Sequence, residues 1–152
     1  MPVPPRLADV VVALDARYPA GLAADWDAVG LVCGDPAATV RSVLFAVDPV
    51  AAVIDEAIAL DVDLVVTHHP LFLRGVHSVA ATSPGGRVVH ALVTHGIALL
   101  AAHTNADHAD PGVSDALAAA LGVRDLRPLV PDPADPAAGT GRIGTLDRPM
   151  RL

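Results

Sequence analysis

The sequence predicts an α/β protein: a three-layer α/β/α sandwich on a mostly parallel sheet, with ligands gathered at the C-terminal strand ends. Short apolar runs alternate with segments of helical apolar spacing, the pattern that right-handed crossovers between parallel strands produce. The chain is 53% hydrophobic but only 3% aromatic. Its interior is therefore Ala, Val and Leu, which suits short buried parallel strands under Ala-rich helices. At 152 residues it holds one ordinary domain and is too short for two.

Leu7, Val10, Val11 and Leu14 fall at helical spacing and predict a helix over residues 6–18, stopped by Pro19. Residues 20–36 read as a loop, with the single tryptophan, Trp26, as its apolar anchor. A strand is expected over 40–47, ending at Asp48-Pro49, then a helix over 50–60 with Val53, Ile54, Ala57 and Ile58 turned inward. The strand over 63–66 delivers His68 and His69. A loop over 70–86 follows, and Ser83-Pro84-Gly85-Gly86 reads as a turn before a helix over 87–94. Gly96 breaks that helix, and the strand over 97–102 delivers His103. A loop over 107–112 leads to a helix over 113–121, closed by Gly122. Residues 131–136, rich in Pro and Asp, form a stiff linker, and 141–146 begin something strand-like. The expected organisation is a metal-binding α/β domain over 1–130, a linker over 131–140, and the start of a second half over 141–152.

A net charge of −7 and the lack of any basic cluster argue against a nucleic-acid partner. All ten basic residues are Arg and sixteen of the seventeen acids are Asp, which reads as a coding bias. Bound divalent cations would offset such charge locally, so an anionic substrate stays compatible with it. The single cysteine, Cys33, leaves no internal disulfide framework or Cys-based zinc site, and is expected to be a small buried apolar residue. No stretch approaches the roughly 20 apolar residues of a membrane span, and the N-terminus lacks the apolar core of a signal peptide. A cytoplasmic protein without a membrane partner is expected. No nucleophile elbow surrounds Ser42, Ser78, Ser83 or Ser114, and no Gly-rich phosphate loop is present.

The chemistry concentrates in Thr67-His68-His69-Pro70 and His103-Thr104-Asn105-Ala106-Asp107, each directly beyond an apolar strand. In an open parallel sheet ligands bind at those strand exits. Imidazole and carboxylate are ordinary ligands of Zn, Fe, Mn or Ni, so His68, His69, His103 and Asp107 are the candidate metal ligands. Neighbouring residues of an extended chain point to opposite sides, so His68 and His69 meet on one ion only if the backbone turns; otherwise they address two. Asp107 has two oxygens with which to bridge a pair of ions, the arrangement that activates water between metals about 3.5–4 Å apart. Thr67, Thr104 and Asn105 are expected to orient the ligands. Asp48 is the candidate general base. His77, His90 and His95 read as structural, and His108 as a residue facing away from the site.

Thr67-His68-His69-Pro70-Leu71-Phe72, Ala102-His103-Thr104-Asn105-Ala106-Asp107 and Trp26-Asp27-Ala28-Val29-Gly30-Leu31 together resemble the NIF-three-like dinuclear-metal proteins, the GTP cyclohydrolase type-two homologues. The resemblance runs from about Leu7 to Leu146. It implies two related α/β halves and a homohexameric toroid whose metal sites face an internal cavity. It also implies two divalent ions per complete site, with His68, His69, His103 and Asp107 as the ligands of the N-terminal half. The family commonly has Asn where this chain has Ala28, and it completes its site with a His and a Glu from the second half. The expected function is that of a metal-dependent hydrolase using metal-activated water on a small nucleotide-like or pterin-like substrate. The rival expectation is a non-catalytic metal-binding oligomer, a scaffold or regulator.

Overall fold

The computed structural model describes residues 3–148. The chain opens with helix α1 (Leu7–Arg17), passes a 3-10 turn at Ala20–Leu22, and enters strand β1 (Gly30–Cys33). Next come β2 (Val43–Ala46), α2 (Ala51–Ala59), β3 (Leu64–Thr67), α3 (Pro84–Thr94) and β4 (Ala98–Ala101). A short helix α4 (Thr104–His108), α5 (Val113–Ala120) and the strands β5 (Val123–Pro131) and β6 (Gly139–Leu146) complete it.

The main sheet has the order β1-β4-β3-β2. Its β2, β3 and β4 are parallel, aligned from Val43 through Leu64 to Ala98. Every residue of β3 and β4 is buried, as strands covered on both faces must be. On one face Leu64, Val66, Ala98 and Leu100 meet Leu7, Val10, Val11 and Leu14 of α1. On the other, Val65 and Leu99 meet Ile54 and Ala57 of α2 and Val88 and Leu92 of α3. The three layers and the mostly parallel sheet are those the sequence predicts. Leu7, Ile54, Leu64, Leu92 and Leu99 are at most 1% exposed, and each stabilises the fold by about 2 kcal/mol. No described helix is long and apolar enough to cross a membrane.

Four elements differ from expectation. Residues 30–33, read as loop, form an antiparallel edge strand against β4, with Gly30 opposite Ala101. The flanking glycines disguise it. Gly34 has φ +134, and a Cβ there would lie 2.6 Å from Ala98 Cβ, so only glycine lets the edge approach β4. Helix α3 begins at Pro84 rather than Arg87, because Ser83 is its N-cap, accepting from Gly86 N at 3.1 Å, and Pro84 takes the first helical position. Residues 104–106, given no element from the sequence, and the first two residues of the loop expected over 107–112 wind into α4. Residues 123–131, given no structure from the sequence, pair antiparallel with β6. The Pro-rich stretch expected as a linker therefore lies in the hairpin connection between β5 and β6. Of the second half expected from residue 141 onward, residues 149–152 lie outside the described residues, as do residues 1–2 of the N-terminus.

One ion pair ties this hairpin to the rest. Arg142, with its side chain 3% exposed, forks onto Asp115 of α5 through Nε at 2.5 Å and Nη2 at 2.8 Å. It also donates to the carbonyls of Gly139, Gly141 and Ala109. Burial raises the Asp115 carboxyl, but the Arg142 hydrogen bonds and charge, with Gly112 N–H, more than offset it and hold it below the ordinary value. Removing one partner of a buried pair strands the other, so Arg142→Ala should cost about 3 kcal/mol in urea unfolding. A carboxyl depressed by folding contributes stability above its unfolded pKa of about 4 and loses it as pH falls through the folded value. Below about pH 4 wild-type stability should therefore fall more steeply than that of Arg142→Ala, measured by urea unfolding across pH.

Candidate metal centre

The parallel ladder continues past β3: His68 N–H donates to Ala46 O at 3.1 Å and His69 N–H to Val47 O at 2.8 Å. The backbone then bends, and Thr67 Oγ1 donates to His69 O at 2.9 Å across the bend. That turn sets both imidazoles on one side, with ring centroids 5.2 Å apart. From the neighbouring strand exit His103 joins them, its centroid 5.0 Å from His68 and 5.5 Å from His69. One ligand atom from each of the three lies within 4.8 Å of the others.

In all three rings Nδ1 is engaged. His68 Nδ1 meets Ala102 O at 3.1 Å, His69 Nδ1 meets Asp48 Oδ1 at 2.7 Å, and His103 Nδ1 meets Asp27 Oδ1 at 2.9 Å. A carbonyl or carboxylate oxygen only accepts, so each Nδ1 carries a proton, and in the neutral ring each Nε2 then keeps a free lone pair. This is the arrangement in which a backing group fixes the tautomer and orientation of a metal-ligating histidine. Asp107, the fourth candidate, lies at the edge of the cluster with Oδ2 3.7 Å from His68 Nε2. It sits on α4, one turn after His103. The cluster could hold a metal ion: the ligand nitrogens are close and partly shielded, with side-chain exposures of 25% for His68, 47% for His69 and 16% for His103.

The remaining candidates fall as follows. Asp48, expected as a general base, is bonded to the Nδ1 side of His69 and backs that ring. Asn105 Oδ1 accepts from His103 N–H at 2.9 Å while its amide donates to Tyr18 O at 2.8 Å. His108 turns from the cluster, with Nδ1 on Leu22 O and Nε2 on Thr140 Oγ1. His95 Nδ1 meets Ala91 O at the end of α3, and His77, His90 and His95 are all exposed.

Asp27 is the residue that sequence reasoning passes over. The loop was expected to be anchored by Trp26, but Trp26 is 60% exposed and the Asp27 side chain is 0% exposed. Besides His103, Asp27 accepts from Thr104 N–H at 3.0 Å, from the Thr104 hydroxyl in a very short contact, and from Ala28 N–H at 2.7 Å. Burial raises its carboxyl, but the hydrogen bonds from His103, Thr104 and Ala28 outweigh it and bring it down to about 2. The available signal is the pairing of Gly30 with Ala101, which puts residue 27 beside residue 103; it is invisible until β1 is known to be a strand.

Fold and site together define a three-layer α/β protein with a histidine cluster, suited to holding a metal, at the exits of its parallel strands. The family model for Duf34/NIF3 (NGG1p interacting factor 3) matches residues 5–152, and the chain belongs to that family. A Streptomyces coelicolor relative named GTP cyclohydrolase 1 type 2 homolog is 59% identical over 150 residues, covering 97% of this chain and 53% of the relative. A Mycobacterium tuberculosis protein of the same name is 56% identical over 118 residues, 78% of this chain and 31% of its own length. The chain thus spans about half or less of these relatives. Among solved structures, a Staphylococcus aureus protein aligns with TM-score 0.80 at 36% identity, over 85% of this chain and 43% of that one. A Bacillus cereus protein related to NIF3 aligns with TM-score 0.78 at 35% identity, over 84% and 35%.

The two backing carboxylates should differ sharply in what they contribute to folding. Asp27→Ala strands buried donors of Thr104 and His103 and should cost about 2–3 kcal/mol. Asp48 has a side chain 55% exposed, and Asp48→Ala should change stability by no more than about 0.5 kcal/mol. Urea unfolding of both variants checks the contrast.

Proposed function

We propose that His68, His69, His103 and Asp107 are metal ligands and that the protein works as part of a dinuclear-metal-dependent hydrolase on a small nucleotide-like or pterin-like substrate. The observation that carries this reading is the set of three imidazoles with one ligand atom each within 4.8 Å of the others, and with Nδ1 of every ring engaged by a backing oxygen. Divalent ions such as Zn, Fe, Mn or Ni would supply Lewis-acid polarisation and an activated water. The chain's own residues hold the ligands in place: Asp27 and Asp48 accept from Nδ1 of His103 and His69 and so orient Nε2 of each ring as the ligand atom, and Asn105 fixes the backbone at His103. Relatives bearing the name GTP cyclohydrolase 1 type 2 homolog support a cyclohydrolase or hydrolase role in the whole protein. We propose that a second half completes the site, and that the assembly is a cytoplasmic homohexamer; the hairpin of β5 and β6 belongs with the metal-binding domain.

One observation favours a second reading, a non-catalytic metal-binding oligomer that serves as scaffold or regulator. Asp48, the candidate base, is committed to His69 and Asp27 to His103, which leaves Asp107 as the one further carboxylate beside the cluster among the described residues.

Metal content per chain, measured by elemental analysis on untagged protein purified without chelator, tests the ligand set. About one to two ions per chain are expected, with loss in His103→Ala and Asp107→Ala. Asp27→Asn should weaken metal affinity by about 10- to 100-fold with the ligands themselves intact. Metal-free wild type after reconstitution with Zn, Mn or Fe would sink the metal reading.

A further inference from the structure

A cavity of about 450 Å³ opens beside Asp107 at the edge of the histidine cluster, walled by Trp26, Thr104, Asp107, His108, Ser114 and Thr140 and by none of the three clustered imidazoles. Its size lies within the range of small-molecule pockets, about 300–1,000 Å³. The Trp26 indole is 60% exposed on its wall, with its centroid 6.0 Å from the His103 ring at an interplanar angle of 76°. A large aromatic surface left open next to a ligand cluster offers a stacking platform. The rest of the wall is hydroxyls, one carboxylate, the His108 imidazole and the small residues Ala24 and Gly141, and it contains no Arg or Lys. That chemistry disfavours a phosphate and suits an uncharged ring.

The hydrogen-bond chain gives this wall a polarity. His108 Nδ1 donates to Leu22 O at 2.8 Å, which leaves Nε2 as an acceptor; the Thr140 hydroxyl, 3.1 Å away, therefore donates to it. With its proton committed, Thr140 Oγ1 offers only lone pairs to a ligand. An equally large cavity beside α2 and α3 has Phe72 and Arg87 on its wall but none of the candidate metal ligands.

We propose that the cavity beside Trp26 is the subsite for a planar nitrogen heterocycle, stacked on the indole with an N–H edge donating to Thr140 Oγ1. This rests on the reading of the adjacent cluster as a metal site, and it adds Trp26 and Thr140 as specificity-determining residues. Phosphate or other anionic parts of the ligand would then lie outside this cavity.

Trp26 is the only tryptophan, so its fluorescence reports the subsite directly. The 152-residue chain, zinc-loaded and chelated in parallel, is titrated with guanosine and adenosine, with ribose as the non-planar control. At least one nucleoside should quench saturably with a dissociation constant below about 1 mM, and ribose should not. By calorimetry Trp26→Phe should keep binding while Trp26→Ala weakens it by about tenfold or more, and Thr140→Val should weaken it several-fold. Circular dichroism on each variant checks that the fold is kept. Zinc uptake without saturable nucleoside binding would overturn the subsite alone, as would binding indifferent to both Trp26→Ala and Thr140→Val. Saturable quenching in a chain that takes up no zinc would sink the metal reading and leave the subsite standing.

Discussion

The candidate site depends on one buried carboxylate. Asp27 lies on the loop before β1, and its two oxygens take hydrogen bonds from His103, Thr104 and Ala28. It thereby joins three things that the chain keeps far apart in sequence: an edge strand, a metal-competent imidazole and the first turn of α4. A buried charge is tolerable only when fully hydrogen-bonded, and these donors more than repay the desolvation, as the depressed carboxyl records. The same bonds that stabilise the ion orient the ring. Local stability and site geometry are here one interaction seen from two sides.

The three imidazoles are supported unequally. His68 rests on a backbone carbonyl of Ala102, so its orientation follows from the pairing of β3 with β4. His103 rests on the enclosed carboxylate of Asp27, and His69 on the open carboxylate of Asp48. A carbonyl leaves the imidazole least basic, and a carboxylate makes it a stronger donor to a cation. The most exposed ring therefore has the most solvated support, and His69 is the member of the cluster with most freedom to move.

What the sequence discloses follows from how each element is buried. The strands expected over 63–66 and 97–102 declare themselves because helices cover both faces of them and every position from Leu64 to Val66 and from Ile97 to Ala102 is apolar. His68, His69 and His103 declare themselves because they follow those runs directly, and the structure gathers these three imidazoles, with Asp107 at their edge 3.7 Å from His68. β1 hides because its register is set by glycines and by contact with β4, a tertiary fact with no local periodicity. Hiding β1 also hides Asp27, whose neighbour in space is 76 positions away. Trp26 misleads for a related reason: a lone aromatic in a loop is expected to be an anchor, yet here the adjacent acid is buried and the indole faces the cavity. Residues 141–146 do read as strand-like, but β5 and the pairing are missed because Pro and Asp dominate the connection, and only the long-range register of Val123 with Leu146 joins the two.

Helix α4 draws these threads together. At five residues it is too short to persist by its own hydrogen bonds, so its position must be imposed from outside. Asp27 holds its first turn through Thr104, and Asn105 ties it to Tyr18 at the end of α1. At the other end His108 is held by Leu22 and Thr140, and Ala109 O is held by Arg142. Asp107 lies between these anchors, so the carboxylate nearest His68 is positioned by every layer of the structure around it. The Arg142–Asp115 pair thus acts on the site from a distance: by locking β6 onto α5 it sets where Thr140 stands, and through Thr140 it sets where α4 ends. A hairpin that adds little to the main core still belongs to the geometry of the site.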